Sequence, residues 1–438
     1  MDSRIATSVF ALLCQSASLL VYQSVLQNQI GAAFIGLLQA ILQAERNLAG
    51  ETLDGFYQYG HWFKALAESN QSWQDYLLSQ ILQDDNPFTR SAQRLELSDL
   101  PPALVKAARH DLQILQQLYH CDPQQLSQWF KNIARLPTEP IAWHQEPSNG
   151  EEVSAIRFKL SAATNWADEL QRFADYYRQH GTGLFGSYQA LRWHNGQLVG
   201  IAQPDPVKLS DLAGYESQRL ALVTNTEFLL QGYSALNVLL YGSRGAGKSS
   251  LIKALPNEYG KRGLRLVEVA KSDLLHLPMI AEQLRDRPQK FIVFVDDLSF
   301  EAEEATFKAL KVVLEGSLTA RPVNVVVYAT SNRRHLVREF FADRPRPQES
   351  EEIHAWDTLQ EQLSFSDRFG LTLTFEPADQ PTYLQIVQHL ARQSNLPLSE
   401  ADLNHRALQW ATRHNGRSGR TARQFVDFLT AELAIGQA

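Results

Sequence analysis

The chain has 438 residues, 44% of them hydrophobic, and this length predicts two or three domains with buried cores. A formal net charge of −7 argues against a general attraction to nucleic acid or acidic membranes. Its two cysteines, Cys14 and Cys121, lie far apart in sequence, which excludes a disulfide framework and a cysteine-based zinc pattern. A reducing compartment, and therefore a cytoplasmic location, is the expectation.

Residues 1–203 predict a mostly α-helical N-terminal domain, because apolar residues recur at three- and four-residue spacing. The turn-rich segment 145–152 is a point where this domain can be subdivided. No charged side chain occurs between Arg4 and Glu45, but glutamines interrupt the stretch, and its apolar runs fall short of the roughly 18 residues of a membrane span. We expect buried or partner-facing helices there and no transmembrane segment, with peripheral membrane contact left open.

A hairpin and a linker follow. Residues 191–201 alternate in character around Asn195-Gly196, a pair typical of a tight hairpin turn. The sequence Gln-Pro-Asp-Pro at 203–206 predicts the main domain boundary.

Beyond residue 206, apolar strand patterns alternate with helical ones, which predicts an α/β domain with a parallel sheet over 207–376. Helical sequence resumes near Thr382, so we expect a small helical lid over 377–438, while the Pro- and Glu-rich segment 344–362 predicts an exposed insertion. The predicted strands are 237–241, 264–270, 291–295, 323–328 and 371–375, and the predicted helices among them are 250–255, 279–286 and 302–314.

The most informative motif is GSRGAGKS at 242–249, which follows a predicted strand and opens a predicted helix. Glycines let backbone N–H groups approach phosphate oxygens at a helix N-terminus, so this is a predicted phosphate-binding loop. Lys248 is expected to reach the β- and γ-phosphates and the Ser249 hydroxyl to bind Mg²⁺. The expected ATP-binding residues are Gly242, Ser243, Arg244, Gly245, Ala246, Gly247, Lys248, Ser249 and Ser250.

The strand 291–295 ends in two carboxylates, Asp296 and Asp297. Asp296 is expected to hold Mg²⁺, as carboxylates do after the second motif of phosphate-loop NTPases. Asp297 occupies the position where many such ATPases carry a water-activating glutamate, so it is the predicted base. Glu301 is the alternative, and slow, switch-like hydrolysis is a third possibility.

Three further polar residues complete the predicted site. Asn332 follows the strand 323–328 and could position water against the γ-phosphate. Arg368 and Arg420 carry the planar, permanently charged guanidinium group that clamps phosphate oxygens. Arg423 is the alternative to Arg420.

This succession of motifs resembles an AAA+ ATPase. The segments NVLLYGSRGAGKSSLIKAL, FVDDLSFE and VYATSNRRHLV are similar to the bacterial family known as domain of unknown function family 815. The resemblance covers about 207–438 and implies that 242–249 and 291–296 are its Walker A and Walker B motifs. It implies that Asn332 is a first sensor, Arg368 a finger completing a neighbouring copy's site, and Arg420 a second sensor in the lid. Segments 209–216 and 225–230 resemble the adenine-side entry motif.

These expectations together describe an ATPase that uses ATP and Mg²⁺ to remodel or regulate a protein partner. A finger acting between copies implies a homo-oligomer, either a ring or a dimer, with the N-terminal domain recruiting an unidentified protein client. Segment 270–277 lacks the aromatic–hydrophobic–glycine triplet that grips polypeptide, so threading of a substrate is less favoured. A slow ATP-dependent switch is the alternative function, and a nucleic-acid-remodelling ATPase is the third.

Overall fold

The computed structural model describes residues 3–44, 49–134, 136–144, 156, 158–298, 304–315, 321–332, 368–414 and 416–436. The chain divides into two compact units, Met1–Gly186 and Ser187–Ala438. The predicted insertion 344–362 lies outside the described residues. Within the described part of the chain, no helix is both long enough and apolar enough to cross a membrane.

The first unit is helical and is built around one aromatic-rich core. Trp62, Trp73 and Trp166 are at most 1% exposed in that core. The buried carboxylate of Asp111 accepts backbone N–H groups from three consecutive residues, Leu20 to Tyr22, and so fixes the chain after the first helix. Its helices are α1 (Ser3–Ala17), α2 (Gln29–Ala44), α3 (Ala49–Ser69), α4 (Trp73–Gln83), α5 (Pro87–Ala92), α6 (Pro102–Tyr119), α7 (Pro123–Ala134), α8 (Leu170–His180) and, at its end, α9 (Gly183–Ser187).

The second unit contains a seven-stranded sheet with the order β2-β1-β4-β5-β6-β3-β7. Every neighbouring pair is parallel except β1 and β2, which form an antiparallel hairpin. The order is not sequential, because the chain crosses over between strands through helices. The strands are β1 (Ala190–His194), β2 (Gln197–Gly200), β3 (Val238–Gly242), β4 (Leu264–Glu268), β5 (Lys290–Val295), β6 (Val325–Ser331) and β7 (Leu371–Phe375).

The central strands β5 and β6 are buried and mostly apolar, as expected for a parallel sheet that helices cover. All seven residues of β6 are buried, and so are five of the six residues of β5. In the parallel register Val295 lies opposite Ala329, and Tyr241 lies opposite Ser331. The residues that follow β3, β5 and β6 therefore lie close together, at the carboxyl ends of the parallel strands.

The remaining helices flank the sheet or form the C-terminal lid. The three lid helices share a core of their own, in which Tyr383 and Val426 are fully buried. The helices of this unit are α10 (Glu216–Leu230), α11 (Lys248–Tyr259), α12 (Leu277–Leu284), α13 (Glu304–Glu315), and the lid helices α14 (Gln380–Gln393), α15 (Glu400–Arg413) and α16 (Gly419–Gly436).

The predicted hairpin belongs to the second unit. The two units meet at 186–187, whereas the domain boundary predicted from sequence lies at 203–206. Asn195 and Gly196 form the turn with positive φ angles of 50° and 80°, as the sequence pattern predicts. The bounds predicted from sequence, 1–203, place the hairpin in the N-terminal domain. It joins the other unit because β1 forms a parallel ladder with β4, pairing Leu191 with Val267.

Candidate functional site

The predicted phosphate loop joins β3 to α11 and passes very close to the end of β7. Gly242 has a φ of 135°, and a Cβ atom there would lie 1.9 Å from the carbonyl oxygen of Phe375. The same carbonyl accepts the backbone N–H of Ser243 at 2.9 Å. Only glycine fits at position 242, because any side chain would collide with backbone.

Lys248 begins α11 and turns its ammonium group back into the loop. Its Nζ donates to the carbonyl oxygens of Gly242 at 2.9 Å and Ser243 at 2.8 Å, and to Asn332 Oδ1 at 3.3 Å. Burial lowers the pKa of this lysine below its usual value, and the two aspartates after β5 partly offset the shift. A buried ammonium among neutral oxygens gains from any anion that enters the loop.

Asp296 directly follows β5 and faces the start of α11. Its Oδ1 accepts the Ser249 hydroxyl at 2.6 Å and the Thr330 hydroxyl at 2.5 Å. A hydroxyl and a carboxylate oxygen in contact are hard oxygen ligands of the kind that Mg²⁺ prefers, and this ion usually takes only one or two protein carboxylates. The pair Ser249 and Asp296 therefore fits a magnesium ion. Among the described residues, no cluster of three or more His, Cys, Asp or Glu side chains suits a metal.

Asp297 adopts a left-handed backbone conformation with φ of 51°, which non-glycine residues rarely use. Its Oδ1 accepts the Asn332 side-chain N–H at 2.7 Å, and its Oδ2 lies 3.6 Å from Lys271 Nζ. Asn332 therefore contacts both Lys248 and Asp297. The carboxylate of Asp297 is held by an amide on one oxygen and by an ammonium near the other.

A cavity of about 630 Å³ lies over the loop, a volume within the range of small-molecule sites. One end is polar and is formed by the phosphate loop and the residues after β5 and β6. The other end is largely apolar, apart from Asp211, and is formed by the segment before α10 and by lid helix α14. Its apolar side chains suit a flat, apolar ring. Its lining includes Val207, Leu212, Gly214, Tyr215, Lys248, Ser249, Asp296, Asp297, Thr330, Asn332, Ile386, Leu390, Arg420 and Arg423.

The lid helix α16 begins directly against the phosphate loop. The backbone N–H of Arg420 donates to the carbonyl oxygen of Gly245 at 3.1 Å. A Cβ atom on Gly419 would lie 2.9 Å from that same oxygen. Both Arg420 and Arg423 are exposed and line the cavity, so both alternatives named from the sequence remain available as the lid arginine.

Most of the predicted site residues meet at this cavity. Arg244 through Ser250, Asp296, Asp297, Asn332 and Arg420 line it, while Gly242 and Ser243 contribute the carbonyl groups that Lys248 contacts. Arg368 lies shortly before β7, which begins at Leu371, and is not among the lining residues. Its expected role concerns a neighbouring copy and stays a prediction. Glu301 lies outside the described residues.

Two residues at the site were not singled out from the sequence. Lys271 follows β4 and reaches Asp297, and Thr330 contacts Asp296. Both could have been found in the way that Asn332 was, because each is a polar residue at or just after the carboxyl end of a buried strand.

The phosphate loop after β3, the acidic end of β5, the mostly parallel sheet and the helical lid together form an α/β fold of the phosphate-loop type. Similar solved structures include the Thermotoga maritima RuvB Holliday junction branch migration motor, with 15% identity, a TM-score of 0.37, and coverage of 53% of this chain and 67% of that one. Two single-residue variants of that protein are 15% identical at a TM-score of 0.38, covering 53% of this chain and 67% and 68% of theirs.

The comparison with curated proteins gave no match. The family described as "Protein of unknown function (DUF815)" matches residues 186–433, a span that includes the whole sheet, the cavity and nearly all of the lid. Because this match covers more than half of the chain, the chain belongs to the DUF815 family.

Proposed function

We propose that the chain binds Mg-ATP in the cavity and hydrolyses it to remodel or regulate a protein partner. The observation that supports this best is the meeting of five side chains from three places in the chain, the start of α11 and the ends of β5 and β6: Lys248, Ser249, Asp296, Asp297 and Asn332. An ammonium, a hydroxyl, a carboxylate pair and an amide are the groups that phosphoryl transfer to water requires. The apolar end of the cavity is suited to the adenine ring.

Each residue has a task in this proposal. Lys248 would exchange its two carbonyl partners for the β- and γ-phosphate oxygens, a gain for an ammonium that is already buried. Ser249 and Asp296 would hold Mg²⁺, which supplies charge neutralisation at the phosphates. Asp297 would accept a proton from the attacking water, and Asn332 would orient that water. Arg420, or Arg423 in its place, would clamp the phosphates from the lid.

Arg368 is proposed to act on the cavity of a neighbouring copy, since it does not line its own. This requires a homo-oligomer. Removal of an arginine finger costs about 10³ to 10⁵ in rate, so the isolated copy should hydrolyse slowly. The first unit, Met1–Gly186, is proposed to recruit the client.

The test is the rate of ATP hydrolysis per copy over a range of protein concentrations for wild type, Lys248→Ala and Arg368→Ala. We expect the specific rate of wild type to rise with concentration and both variants to lose it. Nucleotide binding should be lost only in Lys248→Ala. Lys253→Ala on α11 and Arg392→Ala on α14 are matched controls outside the cavity lining and should behave like wild type.

A slow ATP-dependent switch is the second candidate, and the environment of Asp297 favours it. Asn332 occupies one oxygen of that carboxylate and Lys271 lies near the other, so fewer of its lone pairs are free to accept a proton from water. Tight ATP binding with negligible turnover at every concentration, and no effect of Arg368→Ala, would support the switch and contradict the finger. Nucleic-acid remodelling is the least supported candidate, given the net charge of −7.

A further inference from the structure

Thr330 makes three contacts to the turn that carries both aspartates. Its hydroxyl donates to Asp296 Oδ1 at 2.5 Å and accepts the backbone N–H of Asp297 at 2.8 Å. Its carbonyl oxygen accepts the backbone N–H of Leu298 at 2.6 Å. One residue at the end of β6 thus contacts three consecutive residues after β5.

The parallel register explains why this residue reaches the turn. Val295 and Ala329 are paired, so the next residue on β6 stands beside the point where β5 ends. Thr330 is 2% exposed, which keeps water from competing for its hydroxyl. A hydroxyl has one hydrogen to donate, and here it goes to a carboxylate, the stronger class of acceptor.

The hydroxyl also decides which way the carboxylate faces. Asp296 Oδ1 accepts from Ser249 as well as from Thr330, so one hydroxyl at the start of α11 and one at the end of β6 hold the same oxygen. On the other side, the Asp297 backbone N–H is drawn to Thr330, which supports the rare left-handed conformation of that residue. The two aspartate side chains therefore point in different directions. Asp296 contacts Ser249, and Asp297 contacts Asn332.

We propose that Thr330 is the positioning residue of the magnesium site: its hydroxyl orients the Asp296 carboxylate toward Ser249 before the ion arrives. The proposal rests on the proposed function, because it assigns Mg²⁺ to these two ligands. Loss of a residue that orients a metal ligand lowers metal affinity by about 10- to 100-fold. Binding of the nucleotide through Lys248 does not pass through Thr330.

The test measures the affinity of fluorescent N-methylanthraniloyl-ATP for the full chain, first in EDTA and then over a Mg²⁺ titration. Thr330→Val keeps the shape and removes the hydroxyl. We expect it to bind the probe in EDTA as wild type does, but to need at least about tenfold more Mg²⁺ for half of the Mg²⁺-dependent gain. Thr330→Ser restores both hydrogen bonds and should restore the wild-type requirement.

The matched control is Thr226→Val. Thr226 is also fully buried, and its hydroxyl also makes two bonds, to the Leu222 carbonyl oxygen at 2.8 Å and the Tyr328 hydroxyl at 3.0 Å. It does not line the cavity. A comparable loss of stability without a change in the Mg²⁺ requirement is therefore expected from this variant.

The possible results distinguish the positioning role of Thr330 from the proposed function of the chain. An unchanged Mg²⁺ requirement in folded Thr330→Val, or a Thr330→Ser variant that behaves like it, overturns the positioning role alone. Failure of wild type to bind the probe at any Mg²⁺ concentration overturns the proposed function as well. If thermal melting shows that Thr330→Val is unfolded, Thr330→Cys carries the same test, because its thiol is only a weak donor.

Discussion

Tyr328 is a single polar residue buried in the middle of β6, and its hydroxyl is satisfied from one helix. Asn225 donates to it at 3.0 Å, and Thr226 lies at the same distance, both on α10. Burial raises the pKa of Tyr328 to about 12, although both hydrogen bonds and Arg321 act in the opposite direction. The packing of α10 against β6 therefore favours the neutral form of the Tyr328 phenol.

This environment predicts a loss of stability in alkaline solution. The unfolded chain releases the Tyr328 proton near pH 10, whereas the folded chain keeps it to about pH 12. Between these values the folded state binds more protons, so the free energy of unfolding falls as pH rises, by up to about 3 kcal/mol. Urea unfolding of wild type and Tyr328→Phe at pH 8 and pH 11 measures it.

The wild type should lose more stability than Tyr328→Phe over this interval. Tyr233→Phe is the control, since Tyr233 is 64% exposed. Equal pH sensitivity of wild type and Tyr328→Phe would contradict a higher pKa of this phenol in the folded chain than in the unfolded chain.

The sequence predicts site residues that share one contiguous motif better than contacts between residues that are far apart in the chain. Lys248 and Ser249 stand in one contiguous motif, whose glycines and helix start are visible in the sequence. Thr330 meets Asp296 across 34 positions, and nothing in a single sequence states that two strand ends are neighbours. Their contact depends on strand order, which follows from how the whole sheet packs.

Among the elements, buried strands were predicted best and their ends less well. The predicted strand 371–375 matches β7, whereas the strand predicted at 323–328 is displaced and extends to Ser331. Thr330 and Ser331 lie beyond the predicted end of this strand, yet both are buried within β6, because β3 and β5 flank them on either side. Packing against neighbouring strands, more than intrinsic preference, decides where a strand ends.

The contact between α16 and the phosphate loop predicts an effect of a single methyl group. In Gly419→Ala the new Cβ atom would lie 2.9 Å from the Gly245 carbonyl oxygen, closer than real Cβ contacts. The helix start must move away and take Arg420 with it. Overpacking of this kind costs about 1–3 kcal/mol, so we expect nucleotide affinity to fall by about tenfold.

Equilibrium binding of the fluorescent nucleotide measures this effect. Gly60→Ala is the control, because a Cβ atom there meets nothing within 4 Å. A Gly419→Ala variant with wild-type affinity would mean that the lid does not need this close approach to hold a nucleotide.

For the molecule as a whole, composition and alternation predicted a helical unit followed by an α/β unit and a lid. The 203–206 linker was placed by its prolines, which mark a break in local structure but carry no information about pairing. The hairpin before it pairs with β4, a strand more than 60 residues later, and this puts the unit boundary at Gly186. Long-range pairing decided the boundary where local composition could not.

The hairpin also closes an edge. Without β1 and β2, the backbone N–H and C=O groups of β4 on that side would have no ladder partner, and an open, apolar strand edge recruits strands from other molecules. We therefore expect a fragment spanning 187–438 to stay dispersed and one spanning 207–438 to aggregate, as measured by light scattering during refolding. Equal scattering from both would contradict this. The hairpin thus protects one edge of the sheet that carries the phosphate loop, and any cut between the two units should leave it attached.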